Sequence, residues 1–135
     1  MFPRQPTITT LIEAQQAMPF PVILPPTDVF PLRSILMTQE PPPGPEVQFF
    51  LGNMFSGQGF WVRECSRRRK FGPNPQFVEL GGYPATVMQW VNQSGLPLVL
   101  ASAYNGLATY TVLGSHVELA DAQSMLEAIL AQAKQ

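Results

Sequence analysis

Residues 98–113, LVLASAYNGLATYTVL, and residues 119–133, LADAQSMLEAILAQA, decide the fold. In the first stretch two apolar runs flank Asn105-Gly106, residue types that tolerate the positive φ of a two-residue hairpin turn. Leu98–Tyr104 and Leu107–Leu113 therefore read as paired antiparallel strands, with Ala108, Tyr110 and Val112 on one side. In the second stretch Ala122, Met125, Leu126, Ile129 and Ala133 recur at the spacing of one helix face. Glu118 and Asp121 near its start and Lys134 near its end match the helix dipole. Such a helix must bury its apolar stripe, and the strands before it offer the surface.

Upstream, Ala85–Val91 reads as a strand and residues 92–95 as a turn. Gly59–Cys65 alternates, with Trp61, Arg63 and Cys65 on one side and Phe60, Val62 and Glu64 on the other. In Glu46–Leu51, residues Val47, Phe49 and Leu51 share a face, and residues 52–59 form the longer kind of hairpin loop. Leu32–Thr38 is a further strand, Phe77–Leu80 a short one broken by Gly81-Gly82, and Phe20–Leu24 an edge strand interrupted by Pro21. Thr7–Ala17 reads as a short helix, with Thr10 and Glu13 at capping-box spacing. The proline run 41–45 predicts an exposed turn in polyproline geometry.

The strands follow one another instead of alternating with helices, which argues for α+β over a parallel α/β fold. The expectation is a twisted antiparallel sheet of about seven strands, with a short N-terminal helix and a C-terminal amphipathic helix packed on it. Residues 1–6 read as a loose N-terminal arm and residues 7–135 as a single α+β domain.

The hydrophobic fraction of 45% is enough for a real core in 135 residues. Charged residues make up 13%, about half the usual share, so apolar surface is left for contact. A net charge of −1 steers the chain toward no particular partner. One cysteine excludes an internal disulfide, and no apolar stretch is long enough to span a membrane. No apolar leader is visible near Met1, so the expected location is the cell envelope if an export signal has been removed and the cytoplasm otherwise.

Chemistry-bearing residues are sparse. His116 stands alone before the last helix, without a nucleophile elbow elsewhere. His116 and Cys65 cannot supply the three or four ligands of a zinc site. Cys65 reads as a structural thiol at a strand end, although four arginines close by in sequence would activate it if it were open to solvent. The glycines fit no phosphate-binding spacing. No catalytic residue, metal or cofactor is expected.

The aromatic residues give the one hint of a site. Phe49 and Phe50 face opposite sides of their strand, as do Phe60 and Trp61. One side packs under a helix, and the other is either covered by the second helix or left to bind something. On that second side Phe50, Trp61 and Trp90 are the candidate ligand contacts. Arg63, Arg67, Arg68, Arg69 and Lys70 would form a basic rim, or a solvated loop that keeps a strand edge from aggregating. Nucleic acid is disfavoured by the slightly acidic chain.

Several segments together carry a family resemblance: residues 12–15 leading through Met18-Pro19-Phe20-Pro21-Val22 into Leu24-Pro25-Pro26; the stretch 80–85, LGGYPA; the stretch 104–110, YNGLATY; then Leu113-Gly114 and the terminal helix. The chain resembles a bacterial domain of unknown function found in the extracytoplasmic regions of anti-sigma factors and in lipoproteins. That domain is similar in turn to the lipoprotein-carrier and sigma-E-regulator folds, whose curved antiparallel sheet embraces a helix and can hold acyl chains. A second resemblance is to the small sandwich fold of photosystem-associated and nuclear-import accessory proteins. The first resemblance implies a non-enzymatic sensing or binding domain of the bacterial envelope, with a lipid-like or peptide ligand on an apolar sheet face. The alternative is a protein–protein adaptor or subunit, with a protein partner or a second copy as its target.

Overall fold

A computed structural model describes residues 6–39, 45–54, 56–69, 71 and 75–133. Among these residues there are eight strands and two helices: β1 (Thr7–Ile8), α1 (Leu11–Ala17), β2 (Leu32–Thr38), β3 (Glu46–Gly52), β4 (Gly59–Cys65), β5 (Gln76–Leu80), β6 (Tyr83–Val91), β7 (Pro97–Tyr104), β8 (Thr109–Ser115) and α2 (Leu119–Ala133). The mixed α+β class is as expected, and the strand count is eight rather than seven. All the strands join one open antiparallel sheet in the order β1-β2-β3-β4-β8-β7-β6-β5.

Two four-strand meanders make this sheet, and their seam is β4 against β8, with Val62 opposite Val112. Strands β4 and β5, joined by residues 66–75, therefore stand four strand spacings apart, about 19 Å at ordinary strand spacing. That connection carries the basic run.

Strand alternation sorts residues onto two faces. On one, Val47, Phe49, Leu51, Phe60, Val62, Tyr110, Val112, Ala101 and Val87 are buried together with both helices. Helix α2 lies against β8, β7, β6 and β5 and buries Ala122, Met125, Leu126, Ile129, Leu130 and Ala133. Ala14 of α1, then Met18, Phe20 and Val22, join the same cluster. Two hydrogen bonds strap this proline-rich segment to the seam. The Tyr110 hydroxyl donates to the Pro21 carbonyl at 2.7 Å, and the Ile23 amide donates to Glu64 Oε1 at 2.9 Å.

The structure corrects three expectations. The first helix begins at Leu11, because Thr10 caps it by accepting from the Glu13 amide at 3.2 Å. Thr7 and Ile8 before the cap are extended and pair with Met37 and Leu36. Phe20–Leu24 is not a strand: Pro19, Pro21 and Pro25 have no amide to give a ladder, and the segment crosses the covered face as irregular chain.

The turn after β7 is wider than two residues. Tyr104 pairs with Thr109, and the Asn105 side chain accepts from the amides of Leu107 and Ala108 at 2.9 and 3.0 Å. The two-residue turn lies instead at Gly81-Gly82, where φ values of +59° and +86° favour glycine and Leu80 pairs with Tyr83. Nearly all of the N-terminal arm, the polyproline run from 41 to 44 and Lys134 lie outside the described residues.

Candidate ligand-binding face

The other face of the sheet is ordered in rows by strand register. Phe50 of β3, Trp61 of β4, Leu113 of β8, Leu100 of β7 and Met88 of β6 stand opposite one another in sequence across five strands. One row along, Gln48, Arg63, Thr111, Ser102 and Thr86 make a polar line, which Phe77 of β5 ends. A third row holds Glu46, Cys65, Thr109 and Tyr104 and adjoins the basic connection. The face therefore changes from apolar to polar to cationic along the strands. Both helices belong to the core on the opposite face.

A groove of about 840 Å³ follows the apolar row, lined by Trp61, Met88, Trp90, Leu100 and Leu113, with Arg63 and Phe71 at its margin. Trp61 and Trp90, singled out from the sequence, meet here. Phe50 lies beside the groove, its ring stacked on Trp61 with centroids 5.5 Å apart. The Trp61 indole N–H donates to Gln48 Oε1 at 3.0 Å, and the Arg63 guanidinium sits 5.0 Å from the ring centre. These partners hold the indole in place.

The basic residues divide. Glu46, only 1% exposed, accepts from Arg63 Nε at 2.6 Å, Arg69 Nη2 at 2.9 Å and Gln48 Nε2 at 3.2 Å. Arg68 lies 5.7 Å from the centre of the Tyr104 ring. The Arg67 side chain is exposed, while its carbonyl accepts from Thr109 Oγ1 at 2.5 Å and from the Cys65 thiol at 3.4 Å. Residues 65–69 are thus pinned to the sheet at several points. Lys70 lies outside the described residues.

A second groove, about 680 Å³, lies between residues 26–30 and the start of α2. Phe30, Phe60, Val117 and Met125 contribute apolar walls, and Asp28, His116, Glu118 and Asp121 a polar margin. The Asp121 carboxylate is already engaged by the Glu118 amide at 3.0 Å. The groove on the open face is the larger and contains the residues the sequence pointed to.

Two carboxylates escaped the sequence reading as features of interest. Glu46 was the first residue of a strand, and only register shows it between two arginines. Glu64 lies on the covered face, opposite Val47 and Tyr110, with no exposure. Burial pushes its carboxyl well above the ordinary range, against the smaller opposing effect of the Ile23 amide, and Oε2 has no hydrogen-bond partner among the described residues. Burial, and next the charge of Glu64, also push the Tyr110 phenol above its usual value. The signal for Glu64 was in the alternation itself, which places a carboxylate on the side of Phe60 and Val62.

Among the described residues no group of three or more His, Cys, Asp or Glu could hold a metal ion, and no helix is long and apolar enough to cross a membrane. No family model matches the chain, and no curated protein or solved structure matches it either.

Proposed function

We propose that this chain is a non-enzymatic binding domain of the bacterial envelope that holds a lipid-like or apolar peptide ligand on the open face of its sheet. The observation that carries this reading is the apolar row from Trp61 to Met88, which lines a groove away from both helices. Contiguous apolar surface of this kind marks contact sites, and a concave apolar lining with a few polar groups at its margin suits a ligand. The low charge content and the family resemblance point the same way.

The chain has two tryptophans, and both line the groove, so their emission reports occupancy directly. Titration with an uncharged long-chain alcohol should shift that emission to the blue and saturate. Native mass spectrometry of protein purified from its own host should show a lipid-sized mass that is lost on denaturation. Unchanged emission together with a clean apo mass would overturn the reading.

The alternative, a protein–protein adaptor, is favoured by one feature. Strand β5 ends the sheet and carries Phe77, 75% exposed. Sedimentation that shows a dimer or a bound protein, abolished by Phe77→Lys, would put this reading first.

A further inference from the structure

The polar end of the open face holds a separate cleft of about 240 Å³. Arg68 and Arg69 line it together with the residues Thr86, Ser102, Tyr104 and Thr109. We propose that this cleft is a binding site for a phosphate-class oxyanion, the arginines supplying charge and the Thr86 and Ser102 hydroxyls supplying hydrogen bonds.

The donors are available by count. A guanidinium has five N–H donors and no acceptor. Arg69 gives one nitrogen to Glu46, and Arg68 rests on the Tyr104 ring, which consumes charge attraction but no in-plane donor. Ser102 and Thr111 share a single hydrogen bond at 2.8 Å in which either oxygen can donate; with Thr111 as the donor, the Ser102 hydrogen is left for an acceptor in the cleft. Thr109 spends its hydrogen on the Arg67 carbonyl, and that bond fixes the segment from which both arginines project.

The charge balance is equally one-sided. Among the described residues none that lines the cleft is acidic. The neighbouring Glu46 carboxylate is shared by Arg63 and Arg69, and among the described residues no acidic side chain pairs with Arg68. Glu79, exposed on the adjoining edge strand, is not part of the lining. Planar guanidinium forks match the oxygens of phosphate better than a point charge does, and donors already held in place lose little freedom on binding. The cleft's small volume and the chain's net charge of −1 suit a single anionic group, not a nucleic-acid strand.

The anion has two possible sources: free phosphate, or the head group of an amphiphile whose chains lie on the adjoining apolar row. The site itself does not depend on the apolar-ligand reading, because its test uses inorganic phosphate. Titration at constant ionic strength, followed by amide NMR, should give saturable shifts centred on Thr86, Ser102 and Thr109. Arg68→Gln should weaken binding about tenfold or more, the worth of a charge-assisted hydrogen bond. Arg68 is exposed, so the fold survives that substitution, and Trp90→Ala should leave phosphate binding unchanged.

Vesicles of phosphatidylcholine with and without phosphatidate separate the sources. Capture by the phosphatidate vesicles, lost in Arg68→Gln, assigns a head group. Phosphate shifts without vesicle capture assign a soluble anion. Shifts that do not saturate, that spread over all the basic residues, or that persist unchanged in Arg68→Gln would overturn the site.

Discussion

The two faces of the sheet come from the same alternating strands, yet they end in opposite states. On the covered face Val47, Phe49, Leu51, Val62 and Val112 are inaccessible under α2 and the proline-rich strap. On the open face Phe50, Trp61, Leu113 and Trp90 remain partly accessible along a groove. Each face also buries one carboxylate against this pattern. Glu46 is met by two guanidiniums and an amide, whereas Glu64 has one backbone N–H and an orphan oxygen. Burial alone therefore does not decide how a carboxylate is accommodated. Charged partners can stand beside a face that stays open to water, and a face sealed by helices leaves protonation as the remaining way to remove the charge.

This contrast predicts a graded set of substitutions. Leu126→Ala, on the buried face of α2, should destabilise the fold by about 2–5 kcal/mol in urea titration, with a smaller loss for Leu113→Ala on the open face. Equal losses would mean that the open face is packed like the core, and the contrast would fail. Glu46→Gln should cost about 1–3 kcal/mol, because it removes the charge that holds Arg63 and Arg69. A cost near zero would show those contacts to be screened by solvent.

Glu64→Gln sharpens the contrast through pH. The folded chain keeps Glu64 protonated above the ordinary carboxylate pKa of about 4.3, while the unfolded chain loses that proton. The folded state then binds more protons, so this residue makes stability fall as pH rises from the unfolded value toward the raised folded one. Between about pH 5 and 8, below the range in which tyrosine titrates, Glu64→Gln should flatten that fall and be the more stable form at the upper end. Parallel stability profiles for the two proteins would remove Glu64 from the account. A stability loss of about 1–3 kcal/mol, below that of Leu126→Ala, is expected for Trp90→Ala, a half-buried side chain. Its effect on the emission change with an uncharged amphiphile should nevertheless be large. A variant that loses stability but binds as before per folded molecule would return Trp90 to the core.

Much of this is legible in the sequence. Strands at Gly59–Cys65 and Leu32–Thr38 and the final helix were readable because period-2 and helical alternation are local signals. The same alternation put Trp61, Arg63 and Cys65 on one side. What escaped was chemistry that arises between distant segments. Glu46 gains its meaning from Arg63 and Arg69, and the oxyanion cleft from Arg68 and Arg69 meeting Thr86 and Ser102. Local signals also misled where two structures share one composition. Asn105-Gly106 suits a tight turn, but the Asn105 side chain stabilises a wider one, and the apolar run at 20–24 suits a strand, but Pro21 within it and Pro19 and Pro25 beside it interrupt the row of ladder donors.

By itself the sequence determined which residues of each strand share a side, and that the last helix must cover one side of a sheet. The tertiary structure alone decided that β8 enters between β4 and β7, and so aligned Phe50, Trp61, Leu113, Leu100 and Met88 into one row. It also decided that both helices share one face and that the basic connection reaches the other. The reason is physical. Alternation is set residue by residue by the pleat, whereas strand order depends on which distant surfaces fit together, and loop-closure entropy varies too slowly with length to write that choice into the local sequence.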